Sequence, residues 1–251
     1  MHKLNFNGCN YTFTTKKNFE SMGVIPREQL IDCINFANEM TFNKNGEHRA
    51  YRTGGQIRRR VGQIFANTLQ GKIAEYAIYN QLKSIYTNIS EPDLDAHELG
   101  IWDDSDFIIG TKKLAIKSTK YYGQLLLLET NDWDYNGNYI PNQNNENHGY
   151  YDYFILVRIK TEIEQIMKAN RLLYTDRLTQ EQFNTLKKAI LNSDWNYDIP
   201  GFITHDDLLE VIEKDFIIPQ NALLGSKTRM DAENYYIQAG DLKNIDLLEI
   251  N

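Results

Sequence analysis

Apolar residues recur along this chain at two spacings, one helical and one strand-like, and the switches between them divide it into segments. From Pro26 to Met40, the residues Leu30, Ile34 and Ala37 share one stripe behind a proline in the first turn, which predicts a helix. A polar, glycine-containing stretch follows from Asn43 to Gly55, and a longer helix is predicted from about Gln56 to Ile85. The second half of that helix is apolar on nearly every side, through Ile73, Ala74, Tyr76, Ala77, Ile78, Tyr79 and Leu82, so it should be buried. The centre of the chain reads as strands. Asp106 to Ile109, a turn over Gly110 to Lys113, and Leu114 to Lys117 predict a hairpin, with further strands at Gln124–Thr130 and Tyr151–Ile159. Between those last two lies the polar segment Asn131–Tyr150, with seven asparagines and two glycines; loops of this length inside a compact domain are usually functional or disordered. Helical patterns return at about Thr179–Leu191 and Asp206–Lys214, the second opened by Thr204 and Asp207 at capping-box spacing. The order predicts an α/β fold with a central mixed β-sheet flanked by helices. It reads as a single domain over 1–251, with a helical insertion at about 160–200.

Composition narrows the class without naming a chemistry. The 251 residues are 41% hydrophobic and 24% charged, which excludes a disordered, collagenous or coiled-coil chain. Two cysteines, Cys9 and Cys33, form neither a disulfide framework nor a zinc pattern, and the five histidines show no metal spacing. The start, Met1 to Asn7, lacks the apolar run of a signal peptide, and no window approaches the roughly 18 apolar residues of a membrane span. A reducing cytoplasm is the expected compartment.

The net charge of −7 argues at first against a polyanionic partner. Its distribution argues the other way. Residues 1–90 hold 12 Lys/Arg against 6 Asp/Glu, and residues 91–251 hold 15 against 28. The local field, not the total, governs association with phosphates. Arg49, Arg52, Arg58, Arg59, Arg60 and Lys72 concentrate the basic excess beside the flexible Gly54-Gly55 turn. Two further segments carry groups suited to DNA. One is Lys120 to Gln124 with the asparagine-rich 131–147, and the other is Ser226-Lys227-Thr228-Arg229. Each of the three can also be read as a solvated face or loop.

The hairpin holds the candidate chemistry. Asp106 stands where its first strand begins and Lys117 near the end of its second; alternate residues share a face, so Lys117 and position 115 point the same way. Glu75 is a lone carboxylate among the apolar residues of the buried helix, a costly placement unless a cation or donor meets it. Acids and a lysine converging from three elements would suit metal-assisted phosphodiester chemistry. The plainer alternative is a turn residue, a strand lysine and an internally hydrogen-bonded glutamate.

These residues resemble the PD-(D/E)XK nucleases, particularly the type II restriction endonucleases. The likeness rests on Gly71-Lys72-Ile73-Ala74-Glu75, on Asp106-Phe107-Ile108-Ile109 and on Leu114-Ala115-Ile116-Lys117-Ser118-Thr119, and covers about residues 60–130. It implies a restriction-endonuclease-like core at about 60–160 and Mg²⁺-dependent, sequence-specific cleavage of double-stranded DNA leaving 5′-phosphate ends. It further implies a homodimer acting on a palindrome, and a cognate DNA methyltransferase in the same system. Asp106, Glu75 and the carbonyl of Ile116 would be the metal ligands and Lys117 the group acting on the attacking water. Arg52, Arg58, Arg59, Arg60, Lys72, Lys120, Gln124, Lys227 and Arg229 would contact DNA. The pattern breaks at one place: where the family carries Glu or Asp two residues before the lysine, this chain has Ala115. Three explanations stand. The chain is a Glu→Ala or Asp→Ala inactivated nuclease, or Glu75 replaces the missing acid, or the scaffold binds DNA without cutting it. A repair or junction nuclease of the same superfamily is a further alternative. Asp93 of the literal Pro92-Asp93, and Asp103 and Asp104, are competing candidates for the first acid.

Overall fold

The computed structural model describes residues 1–43, 51–94, 106–142, 149–225 and 227–250. Arg49, Asp103, Asp104, Ser226 and the 143–148 part of the asparagine-rich segment lie outside them. The strands β1 (Asn5–Asn7), β2 (Asn10–Thr12) and β3 (Gly23–Val24) precede helices α1 (Arg27–Thr41) and α2 (Val61–Leu82). Then come β4 (Phe107–Ile109), β5 (Lys112–Lys120), β6 (Leu125–Glu129) and β7 (Tyr153–Ile159). Helices α3 (Ile163–Ala169) and α4 (Gln180–Leu191), strand β8 (Asn196–Thr204) and helix α5 (His205–Glu213) follow. The chain closes with β9 (Ile217–Ile218), β10 (Leu223–Leu224), β11 (Thr228–Arg229) and β12 (Asn234–Gln238).

The protein is a mixed α/β structure built on a five-stranded sheet of order β3-β8-β7-β5-β4. Strands β5 and β7 run parallel, while β4 pairs antiparallel with β5 and β8 antiparallel with β7. The sheet separates two apolar cores. On one face Leu114, Ile155 and Val157 pack with α2 residues such as Phe65, Leu69, Ile73 and Ile78. On the other face Ala115, Phe154 and Leu156 share a core with Leu126 and Leu128 of β6 and Ile237 of β12. Strands β6, β12 and β9 form a second, three-stranded sheet on that side.

Helix α2 is buried as its apolar circumference requires, against α1, α3 and the central sheet. It starts at Val61 rather than Gln56. The Asp231 carboxylate accepts the backbone N–H groups of Gln56 and Ile57 and holds them outside the helix, and Gln63 accepts the N–H of Arg60 at the boundary. Gly62 in the first turn is set by packing, because a β-carbon there would lie 2.2 Å from the carbonyl oxygen of Leu172. The stretch 160–200, expected as a helical insertion, contributes Ile163, Met167, Leu186 and Ile190 to the α2 core and opens β8 at Asn196. Within β7, Arg158 is wholly buried and forks onto Asp198 of β8, its Nε 2.9 Å from Oδ1. Its two terminal nitrogens also donate to the carbonyls of Lys17 and Asn18, each at 2.7 Å, tying the N-terminal segment to the sheet.

Candidate functional site

Strand β4 is short. It pairs with β5 only from Lys112 to Leu114, and among the described residues no strand covers the same edge of β5 from Ala115 to Lys120. A cavity of about 470 Å³ opens there, with Asn67 and Gln70 of α2 on one side and Leu125, Leu127, Leu128, Glu129, Asp132 and Trp133 on the other. Ile116, Lys117, Ser118 and Thr119 form its floor, and Arg52 and Arg59 line it from the segment before α2.

The β4–β5 register pairs Phe107 with Leu114, and one further step sets Asp106 level with Ala115. Its carboxylate turns inward and accepts the backbone N–H of Ile116. In a strand the N–H and C=O of one residue face the same edge, so the Ile116 carbonyl shares that uncovered edge with Asp106. The residue is exposed, yet the protein around it desolvates its carboxyl. Burial is the dominant influence and pushes its pKa up, against the Lys117 charge, the Ile116 N–H and the Lys72 charge, which all favour the anion. Lys117 lies on the Ala115 side of β5 and acts electrostatically on two acids, Asp106 and Glu129.

Glu129 and Asp132 belong to none of the motifs in the sequence. They sit at the end of β6 and in the short helical turn after it, and both line the cavity. Arg52 approaches Glu129 at 3.5 Å. Burial raises the Glu129 pKa, Arg52 and Lys117 oppose that, and the hydrogen-bonded Asp132 carboxyl reinforces it. The effect of Asp132 on Glu129 is that of a like charge in the same site. The one local signal is an acid closing the apolar run Leu125 to Leu128. Its approach to Lys117 depends on how two sheets stack.

Ala115 is 2% exposed and belongs to the apolar core with Leu126, Leu128, Trp133, Phe154 and Leu156. A carboxylate at 115 would have to enter that packing. Glu75 meets the cation its burial demanded: Lys72 Nζ lies 2.6 Å from its Oε2. The same ammonium donates to the carbonyl of Asp93 at 2.7 Å and lies 4.5 Å from the Phe36 ring centre. Lys72 is thus 8% exposed and withdrawn from the basic surface on which the sequence put it. The Lys72 charge acts on Asp106 as well.

The other proposed DNA contacts divide. Arg58 and Arg60 are exposed beside the start of α2, Arg60 pairing with Asp176 at 2.6 Å, and Arg59 reaches the carbonyl of Tyr51. Lys227 and Arg229 are exposed around β11. Asp231, two residues on, anchors the 56–57 segment, so these two basic stretches adjoin. Gly54 has the left-handed φ of +73° that its turn required. By contrast, Lys120 is engaged by Glu164 at 2.8 Å and Glu162 at 3.7 Å. Gln124 spends its amide on the backbone N–H and carbonyl of Lys17. Neither is poised to read bases. His205, to which the sequence assigns no role, is buried, with ring nitrogens 3.1 and 3.0 Å from the carbonyls of Tyr151 and Asn136. It pins the 134–138 turn against the sheet.

Among the described residues no three His, Cys, Asp or Glu side chains come together to hold a metal ion. Mg²⁺ asks for less, one or two carboxylates with water and substrate phosphate completing its shell. The Asp106 carboxylate beside the Ile116 carbonyl meets that smaller requirement, whereas Glu75, occupied by Lys72, does not. No helix among the described residues is long and apolar enough to cross a membrane. No family model, curated protein or solved structure matches this chain.

Proposed function

We propose that the protein is a phosphodiester hydrolase of double-stranded DNA, of the type II restriction endonuclease kind, acting as a homodimer. The observation that carries this reading is the alignment of Asp106, position 115 and Lys117 on one face, beside a cavity bordered by Arg52 and Arg59. Arg58, Arg59, Arg60, Lys227 and Arg229 would hold the DNA backbone, their charge drawing phosphates to an otherwise acidic molecule. Lys117 would neutralise the scissile phosphate and orient the attacking water. Asp106 and the Ile116 carbonyl would hold Mg²⁺, which when bound supplies positive charge against the phosphate oxygens. Two-fold symmetric sites call for two-fold symmetric readers, hence the homodimer.

With a methyl group at 115, the face has one acid fewer than the chemistry uses. Unless another element supplies it, cleavage by this chain is slow, and a restored carboxylate speeds it. The test compares the chain as it stands with Ala115→Glu and Ala115→Asp on plasmid DNA in Mg²⁺. Discrete fragments from any of them support the reading. Folded proteins that bind DNA and never cut support the second reading, a DNA-binding protein without catalysis. Structure-selective nicking instead would indicate a repair or junction nuclease.

A further inference from the structure

We infer that Glu129 supplies the acid that position 115 lacks, serving as the proton acceptor for the water that attacks phosphorus. The inference rests on the nuclease reading and deepens it. Three observations lead to it. Ala115 sits in close apolar packing, so the site is built around a small residue there. Glu129 lines the same cavity as Lys117 and feels its charge. Arg52 lies 3.5 Å from its carboxyl, and Asp132 is hydrogen-bonded to it.

Asp106 and the Ile116 carbonyl lie along the uncovered β5 edge, and Lys117 and Glu129 line the cavity that opens there. A water between Glu129 and a phosphate held by Lys117 gives up a proton to the Glu129 carboxylate as its oxygen bonds to phosphorus. The bond from phosphorus to the 3′ oxygen breaks, and a solvent water protonates the leaving oxygen. The proton on Glu129 then returns to the resulting hydroxide, which restores both groups. Burial and Asp132 raise the basicity of Glu129, and a stronger base accepts the proton more readily.

The experiment measures plasmid cleavage in Mg²⁺ by the unaltered chain, by Glu129→Gln and by Glu129→Asp, with DNA affinity and thermal unfolding recorded for each. The unaltered chain is expected to cut. Glu129→Gln should cut at least about 100-fold more slowly, the scale of general-base assistance, with affinity unchanged. Glu129→Asp should fall between them. If Glu129→Gln does not fold, Glu129→Asp decides, and an undiminished rate overturns the inference. A Glu129→Gln rate within a few-fold of the unaltered chain overturns it as well, and leaves the nuclease reading standing. So does an inert unaltered chain beside an active Ala115→Glu or Ala115→Asp. If none of the chains cuts, both the inference and the nuclease reading fail.

Discussion

Lys72 shows how a single residue can change its meaning between sequence and structure. In the sequence it extends a basic cluster; in the fold its ammonium lies between the Glu75 carboxylate, the Asp93 carbonyl and the Phe36 ring. No sequence pattern distinguishes the two, because the partners come from α1 and from a segment some twenty residues downstream. The requirement that Glu75 meet a cation was legible; that the cation would be Lys72, one helical turn away, was available from the i,i+3 spacing. The pair makes a sharp prediction. Removing one member of a buried ion pair strands the other, so Glu75→Ala should destabilise the protein by about 3 kcal/mol in urea unfolding. A metal-ligating Glu75 predicts otherwise: lost Mg²⁺-dependent activity with stability almost unchanged. Asp106 and Lys117 were legible for a different reason. A short hairpin leaves little freedom in where its ends lie, and the period of two fixes their face. Glu129 and Asp132 were not legible, since nothing local says that the end of β6 returns to β5.

At the scale of elements, periodicity served wherever burial was one-sided or complete. Helices α1, α2, α4 and α5 lie close to where their patterns placed them, as do β5, β6 and β7. Strand β8 escaped notice because Pro200 and Gly201 interrupt it in a way that imitates a turn, and β12 because Asn234 and Gln238 close an otherwise short apolar run. The start of α5 carries a pH prediction. Burial alone would raise the Asp207 pKa, but the Lys243 ammonium with the N–H and hydroxyl of Thr204 outweighs it and holds the carboxyl below its ordinary value. A carboxyl depressed on folding stabilises the protein above the unfolded pKa of about 3.9, and that contribution is lost as pH falls through the lower folded value. Stability of the unaltered chain should therefore decline more steeply below about pH 4 than that of Asp207→Asn. Equal slopes in acid unfolding would remove Asp207 from the account. The segment leading into α2 carries another prediction. Replacing Arg58, Arg59 and Arg60 with Ala should weaken DNA binding and flatten its salt dependence, by about 0.9 in log–log slope for each phosphate no longer neutralised. An unchanged slope would mean that these arginines face only solvent.

For the whole molecule, the central sheet acts as a partition. Helices α1 to α4 pack its one face, the smaller sheet with α5 the other, and the cavity lies where β4 stops and leaves the β5 edge uncovered. The net charge of −7 describes neither face. Arg52 and Arg59 of the basic stretch 52–60 line the cavity, while acids such as Glu162, Glu164 and Asp176 pair with nearby cations. The alternation of helices and strands foretold a mixed sheet with flanking helices, but not the second sheet, whose strands are drawn from distant parts of the chain. That second sheet is what brings Glu129 opposite Lys117. In the proposed function this face hydrolyses DNA through Lys117. The most direct measurement is the rate of Mg²⁺-dependent plasmid cleavage for Lys117→Ala, made in whichever of the unaltered or Ala115→Glu chains cuts, with DNA affinity measured alongside. The rate is expected to fall by at least about 100-fold, with binding weakened far less. Cleavage that proceeds undiminished without Lys117 would contradict the proposed function.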